Sequence, residues 1–200
     1  MSRIATLVGP EDHGRKMSLE EFDRAEVRDG YLYELSRGEI IVSDVPSEKH
    51  FAQADAIMQQ IYLYKANTPK AIHRVGTGSE CKILAEGFES ERHPDVAVYK
   101  TPAPDSDDIW SIWVPEIVIE VVFPSLEKRD YEEKPPEYLA FGVSEYWIFD
   151  EAKQQVTVLQ RSGGRWKPRV LNPTQTITTH LLPGFELNIQ AVFAAAASVS

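Results

Sequence analysis

The chain has 200 residues, 42% of them hydrophobic and 26% charged, which is typical of one globular domain with its own core. Its net charge of −10 opposes sequence-independent coating of DNA, because such binding neutralises phosphates, although a local basic groove is still allowed. No apolar run reaches the roughly 18 residues of a membrane helix, and residues 1–16 lack the apolar stretch of a signal peptide. Cys81 is the single cysteine, which fits a reducing cytosol, so we expect a cytoplasmic protein. Without a membrane helix, we also expect it to contact no membrane.

The expected organisation is one domain with a short extension at each end. Residues 1–17 carry no periodic pattern and are interpreted as a flexible leader. Residues 18–190 contain no linker and no internal repeat, so they are expected to form one unit. Residues 191–200 are rich in alanine and are interpreted as a C-terminal tail, either a short helix or frayed.

The early elements are a short helix, a hairpin and a long helix. Capping-box spacing of Ser18 and Glu21 predicts a helix over residues 19–25. Strand patterns at 31–35 and 39–42 flank a glycine-containing turn and predict a β-hairpin. A helix capped by Ser47 is expected to run to about residue 66. Its predicted core face consists of Phe51, Ala54, Met58, Ile61 and Tyr62.

The later elements are mainly strands. Strands are predicted at residues 72–75, 81–85, 94–99, 113–123 and 145–150. The near-continuous apolar character of 113–123 indicates a central strand covered on both faces. A helix over 130–141 must start near Pro135 or bend just before it, and Gly142 ends it. Residues 155–160 and 165–171 predict a second hairpin, and residues 86–91 read as a polar turn.

Two acids occupy positions where a core is expected. Asp95 begins one strand after a proline, and Glu120 interrupts the most apolar strand. A buried carboxylate needs a cation, so two such acids on neighbouring strands indicate a site for Mg²⁺ or Mn²⁺. A salt bridge to Arg or Lys is the structural alternative for Glu120, and an ordinary strand-edge acid is the alternative for Asp95. His93 lies two residues before Asp95 and would share its face of a strand, which leaves a transition-metal site open.

The same residues carry a resemblance to a known family. The motifs are Pro94-Asp95, residues 120–125, Asp130 with Lys134, and Phe141 to Asp150 with its Gly-Val-x-Glu-Tyr-Trp string. In this order they resemble the Uma-type family of restriction endonucleases, within the PD-(D/E)XK nuclease superfamily. The resemblance covers most of the chain, from Tyr33-Glu34-Leu35 to Leu182-Pro183-Gly184-Phe185.

The resemblance implies an α/β fold with a restriction-endonuclease-like core, a mixed β-sheet flanked by helices and additional β-hairpins. It implies metal-dependent hydrolysis of phosphodiester bonds in DNA, with Mg²⁺ or Mn²⁺ held by Asp95, Glu120 and the Val121 carbonyl. The superfamily lysine usually lies two residues after the second acid, where this chain has Val122. The resemblance therefore points to Lys134 as the catalytic lysine, and more loosely to Glu34 as a further catalytic acid.

Substrate contacts are expected from His50, Arg74 and Lys128, and a homodimer is expected by analogy with nucleases that cut both strands. His50 could instead have a helix-surface or capping role. Two alternatives to a DNA endonuclease stay open. One is a catalytically inactive nuclease-fold module for binding or assembly, and the other is a metal phosphoesterase acting on small substrates.

Overall fold

The computed structural model describes residues 6–124 and 126–199, without the side chain of Ser79. The strands are β1 Leu7–Val8, β2 Glu26–Val27, β3 Tyr31–Ser36, β4 Glu39–Asp44, β5 Arg74–Gly76, β6 Ile83–Ala85, β7 Ser90–Arg92, β8 Val96–Tyr99, β9 Ile117–Val121, β10 Glu145–Asp150, β11 Gln155–Ser162, β12 Arg165–Leu171, β13 Thr176–Thr178 and β14 Glu186–Asn188. The α-helices are α1 Leu19–Asp23, α2 Glu48–Asn67, α3 Lys134–Phe141 and α4 Ile189–Ala197.

A six-stranded mixed sheet forms the centre of the molecule, in the order β12-β11-β10-β9-β8-β5. β9 and β10 are parallel, whereas every other neighbouring pair is antiparallel. All five residues of β9 are buried, which confirms the prediction of a central strand. It is shorter than the predicted 113–123, since Pro115 cannot donate to the ladder on one side and Pro124 follows on the other.

A second sheet, in the order β4-β3-β7-β6, packs beside the first. The hairpin of β3 and β4 is confirmed, with Tyr31 opposite Asp44 and Ser36 opposite Glu39. The interpretation of residues 86–91 as a polar turn was wrong at its end, because Ser90–Arg92 forms β7. A 3-10 turn over Glu86–Phe88 and the left-handed backbone of Glu89 lead the chain into that strand.

The helix α2 begins after Ser47, whose hydroxyl accepts a hydrogen bond from the His50 N–H, as the capping pattern predicts. Its predicted core face was only partly right. Ala54 and Ile61 are buried, but Phe51 and Tyr62 are about half exposed, and Ile57 takes the central buried position instead. The inward face is therefore rotated from the predicted one, and it leaves Phe51 at the surface.

The regular helix before Gly142 starts at Lys134, next to Pro135, which is one of the two alternatives that the prolines predict. Residues Arg129–Glu133 form a π-helical turn in which the Lys134 N–H donates to the Arg129 carbonyl, five residues back. Pro135 and Pro136 have no N–H that could donate to a carbonyl four residues earlier. The chain therefore forms the wider π-helical turn before the regular helix α3 begins. Gly142 ends α3 with a φ of +115°, a left-handed conformation that suits glycine.

The N-terminal end of the described chain packs more closely than expected, and the C-terminal end forms the short helix that was one of its two expected alternatives. Within residues 6–17, β1 pairs in parallel with β2 and Val8 is fully buried, so this part of the predicted flexible leader packs on the domain. The C-terminal residues take the helical alternative as α4, which starts earlier, at Ile189, and packs on α2 through Val192 and Phe193. Among the described residues, no helix has both the length and the apolarity to cross a membrane.

Candidate active site

A cavity of about 850 Å³ lies where the two sheets meet α2 and the π-helical turn. Asp95, Glu120, Val121, Asp130 and Lys134 line it, although the chain contributes them from four places: the position just before β8, the strand β9, the π-helical turn and α3. The structure therefore brings the side chains of Asp95, Glu120 and Lys134 together in one cavity.

Asp95 and Glu120 face each other across neighbouring strands. β8 and β9 are antiparallel with Val96 opposite Ile119, and the same register continued by one residue puts Asp95 opposite Glu120. The Val121 N–H donates to Asp95 Oδ2 at 2.7 Å, which locks this carboxylate against the end of β9. The two acids consequently open on the same edge of the sheet, as the strand pattern predicts.

The negative charge of buried Glu120 is only partly offset by its neighbours. It is 3% exposed, and its Oε1 accepts from the Tyr138 hydroxyl at 2.6 Å and lies 3.0 Å from Lys134 Nζ. Burial raises the pKa of Glu120 to about 7, because the attraction of Lys134 does not outweigh desolvation and the charges of Asp95 and Asp130. Oε2 accepts no hydrogen bond from residues 6–124 or 126–199, so one oxygen remains for a ligand.

Lys134 is a buried cation shared between two acids. Its Nζ lies 2.8 Å from Asp130 Oδ1 and 3.0 Å from Glu120 Oε1. Burial alone would lower the pKa of Lys134, but the carboxylates of Asp130 and Glu120 outweigh it, so the pKa is raised. The two groups are stabilised unequally. The charged form of Lys134 is stabilised by two acids, whereas the charged form of Glu120 is stabilised by one cation and destabilised by two acidic neighbours. The salt bridge that was the structural alternative for Glu120 is thus present, but it leaves the carboxylate only partly offset.

His50 lies at the site, whereas Glu34 is engaged elsewhere on the cavity wall. His50 Nε2 is 3.0 Å from Asp95 Oδ1. Glu34 accepts from the His93 N–H at 3.1 Å and forms ion pairs with Arg92 and Arg129. Glu34 therefore lines the same cavity, but its carboxylate is paired with two arginines.

The other two expected substrate contacts lie outside the cavity lining. Arg74 Nη2 donates to the Glu80 carbonyl at 3.1 Å, and its guanidinium lies 5.8 Å from the centre of the Trp113 ring. Lys128 is exposed just before the π-helical turn. His93 does line the cavity, but its Nε2 is 3.0 Å from Glu91 Oε1.

Two contributors escaped the sequence reasoning. Tyr138 reads as a core aromatic on α3, and only the tertiary structure brings its hydroxyl to Glu120. Arg129 lies directly before Asp130 and lines the cavity beside Glu34. The four-residue spacing of Asp130 and Lys134 was the available signal for this segment, because it brings both side chains to one side of a helical turn.

The donors available to a metal are hard oxygens. No three His, Cys, Asp or Glu side chains already converge on one point in the part of the chain that the structure describes. Two carboxylates, a backbone carbonyl and water nevertheless match Mg²⁺ and Mn²⁺, which accept few protein ligands and retain waters. The free Oε2 of buried Glu120 is the observation that fits such a cation, with Asp95 and the Val121 carbonyl as the other protein donors.

This mixed sheet flanked by helices is a restriction-endonuclease-like fold. The family model described as "Uma2: Putative restriction endonuclease" matches residues 19–190, and the chain belongs to that family. This finding confirms the resemblance, and families of this fold generally use divalent metals.

The fold is also that of a solved structure. The crystal structure of "a putative nuclease belonging to DUF820" from Anabaena variabilis ATCC 29413 is similar over 90% of this chain and 99% of that chain, with a TM-score of 0.73. The two sequences are 20% identical, so the likeness concerns the fold. No curated protein matches the chain.

Proposed function

We propose that the chain is a DNA endonuclease that hydrolyses phosphodiester bonds with Mg²⁺ or Mn²⁺. One observation carries the proposal. Glu120 is a buried carboxylate with one oxygen that has no partner among the described residues. It faces Asp95 across two strands, and Lys134 Nζ lies 3.0 Å from its other oxygen. A stability role alone does not account for this arrangement, since an incompletely compensated buried charge destabilises a fold.

Asp95, Glu120 and the Val121 carbonyl hold the cation in this proposal. When bound, the cation supplies Lewis acidity toward a phosphoryl oxygen and lowers the pKa of a ligand water. The chain's own contribution is to fix the donors before substrate arrives. The Val121 N–H fixes Asp95 Oδ2, the Tyr138 hydroxyl fixes Glu120 Oε1, and both distances are below 2.8 Å.

Lys134 serves the reacting phosphate. Its raised pKa keeps the ammonium charged, so it acts as a donor and a positive charge rather than as a base. It orients the attacking water and stabilises the charge that develops. The water oxygen bonds to phosphorus and gives up a proton to solvent, and the leaving oxygen departs with its bonding electron pair. Asp130, 2.8 Å from Nζ, holds the lysine in that direction. His50, 3.0 Å from Asp95 Oδ1, is the substrate contact that we retain.

Hydrolysis of labelled DNA, in single-stranded and duplex form, tests the proposal. Purified protein should cleave DNA in Mg²⁺ or Mn²⁺ and stop in EDTA, and Glu120→Gln should abolish cleavage. Glu145→Gln is the matched control, because Glu145 is equally buried on the neighbouring strand β10 but does not line the cavity. Unchanged cleavage in Glu120→Gln would remove Glu120 from the mechanism.

The inactive binding module is the main rival, and the Lys134–Glu120 pair is the observation in its favour, because it offsets part of the buried charge without a metal. Mn²⁺ titration separates the two proposals, since such a module needs no cation at Asp95 and Glu120. A small-substrate phosphoesterase would hydrolyse a chromogenic diester and leave DNA intact. Cytoplasmic location and a homodimer complete the proposal.

A further inference from the structure

The mouth of the cavity carries exposed apolar and aromatic side chains beside the exposed acids Asp23, Asp44 and Asp55. Ten large hydrophobic residues are exposed in the described chain, and half of them line this one cavity: Val27, Tyr31, Leu32, Val45 and Phe51. Tyr31 on β3 is 40% exposed and Phe51 on α2 is 54% exposed, so two rings from different elements are open to solvent at the mouth. We call Tyr31, Phe51 and Phe123 the aromatic mouth.

The aromatic mouth is adjacent to the carboxylates. The Phe123 ring lies 6.4 Å from the His50 ring, centre to centre, and His50 Nε2 is 3.0 Å from Asp95 Oδ1. Phe123 also follows Glu120 by three residues, at the point where β9 has ended. A base stacked on this ring would therefore have its sugar and phosphate within reach of the acid pair.

The cavity offers little to hold the phosphates of a duplex. Within the described residues, Arg129 and Lys134 are the Lys or Arg side chains that line it, and each is ion-paired with a carboxylate of the same cavity. Duplex binding depends chiefly on neutralising phosphates, because the bases are stacked inside. In this cavity the available binding energy comes from ring surfaces, which a paired and stacked base cannot use.

The carboxylates are also recessed. The side chain of Glu120 is 4% exposed and that of Asp95 is 21% exposed, below a mouth formed by both sheets and α2. A duplex has a persistence length of about 150 base pairs, so it would have to bend or distort to bring one phosphate into such a recess. A single strand can bend into it while its bases lie on aromatic faces.

We propose that the cavity takes unpaired single-stranded DNA, with bases stacked on the aromatic mouth and the scissile phosphate at Asp95 and Glu120. The choice of substrate rests on the proposed function, but binding can be measured without hydrolysis. Phe51 is the residue that the strand meets first, since it is the most exposed ring of the aromatic mouth.

Fluorescence anisotropy on the Glu120→Gln background provides the test, because this variant is expected neither to bind the cation nor to cleave the probe. The probe is a labelled single strand of about 16 nucleotides, compared with the duplex of the same sequence. We expect the single strand to bind at least about tenfold more tightly, and Phe51→Ala to weaken it about tenfold through loss of base stacking. Tyr62→Ala is the matched control, because Tyr62 is about half exposed on the same helix but outside the cavity.

Equal or tighter binding of the duplex, or an unchanged single-strand Kd in Phe51→Ala, overturns the inference. Light scattering on the same variants detects the competing occupant, a second copy of the chain. A molar mass that halves in Phe51→Ala with unchanged single-strand affinity would assign the mouth to a dimer and overturn the inference.

The outcome is separable from that of the proposed function. If the wild-type protein binds single strands through Phe51 but hydrolyses no DNA in Mn²⁺, the endonuclease proposal fails and the binding inference stands. If it cleaves duplex DNA and Phe51→Ala has no effect on binding or cleavage, the endonuclease proposal stands and the inference fails.

Discussion

Two clusters of buried charge each include a residue of α3, and they differ in how completely their charges are compensated. The closed cluster is Arg92 with Glu137 and Ser36: Arg92 Nε and Nη2 donate to both Glu137 oxygens, at 2.8 and 3.1 Å, and both side chains are fully buried. The open cluster is Glu120 with Lys134 and Asp130, which lines the cavity and leaves Glu120 Oε2 without a donor among the described residues.

The difference separates a structural role from a chemical one. In the closed cluster a bidentate pair satisfies both carboxylate oxygens, so it joins β7 to α3 and has nothing left to bind. In the open cluster one lysine serves two acids, and burial raises the pKa of Glu120 to about 7. Buried charge alone is therefore a poor guide to function, whereas buried charge with an unpaired atom on a cavity is a better one.

The largest expected effect is on stability and belongs to the closed cluster. Arg92→Ala leaves the Glu137 carboxylate buried and without its main partner, which should lower the free energy of unfolding by about 3–5 kcal/mol. Urea unfolding measures it. The double variant Arg92→Met with Glu137→Leu should recover most of that loss, since it removes both charges.

Arg24→Ala is the control for this comparison, because Arg24 forms an exposed pair with Glu20 and should change stability by less than about 1 kcal/mol. An Arg92→Ala protein as stable as the Arg24→Ala protein would contradict the structural role of the closed cluster.

The next effect concerns stabilisation by metal and belongs to the open cluster. At 100 times its Kd, Mg²⁺ should stabilise the wild-type protein by about 2.7 kcal/mol, because it binds the folded chain alone. Glu120→Gln should lose this gain while keeping its metal-free stability. Thermal unfolding with and without Mg²⁺ measures both quantities, and an equal gain in the two proteins would place the cation elsewhere.

Tyr138→Phe should act on both stability and metal binding. It removes the 2.6 Å hydrogen bond to Glu120 while keeping the ring on Tyr146, so we expect a loss of about 1.5–3 kcal/mol and weaker Mn²⁺ binding. Calorimetric titration gives the affinity. Tyr99→Phe is the control, since the buried Tyr99 hydroxyl has no partner among residues 6–124 and 126–199 and its loss should cost little.

The smallest effect is at the cap of the helix that carries His50. Ser47→Ala removes the side-chain acceptor of the His50 N–H and should cost about 1 kcal/mol, whereas Ser47→Asp restores capping. Neither variant should alter Mn²⁺ affinity. A large change in affinity would mean that the first turn of α2 and the open cluster are coupled.

Local features could be predicted from the sequence, because each depends on a few neighbouring residues. The cap at Ser47, the start of the regular helix α3 next to Pro135 and its end at Gly142 are of this kind. The opposition of Asp95 and Glu120 was also predictable, since two adjacent strands with one polar position each have few ways to pair.

The missed features depend on tertiary context. Phe51 follows the helical period of a core residue, and only the actual packing of α2 turns it outward. The sequence identifies Glu34 only as an acid on a strand. Its ion pair with Arg129 joins residues 95 positions apart, which a local sequence pattern does not show. The hydrogen bond of the Tyr138 hydroxyl to Glu120 likewise could not be predicted, because the helical pattern indicates only which face is apolar.

The most direct test of the central claim, that Asp95 and Glu120 hold a divalent cation, is a crystal structure of the protein with Mn²⁺. We expect an anomalous peak between the two carboxylates, about 2.1 Å from Glu120 Oε2 and an Asp95 oxygen, with the Val121 carbonyl and waters completing the shell. At saturating Mn²⁺, a structure with no peak there, and with Glu120 bonded to Lys134 and Tyr138 alone, would contradict the account.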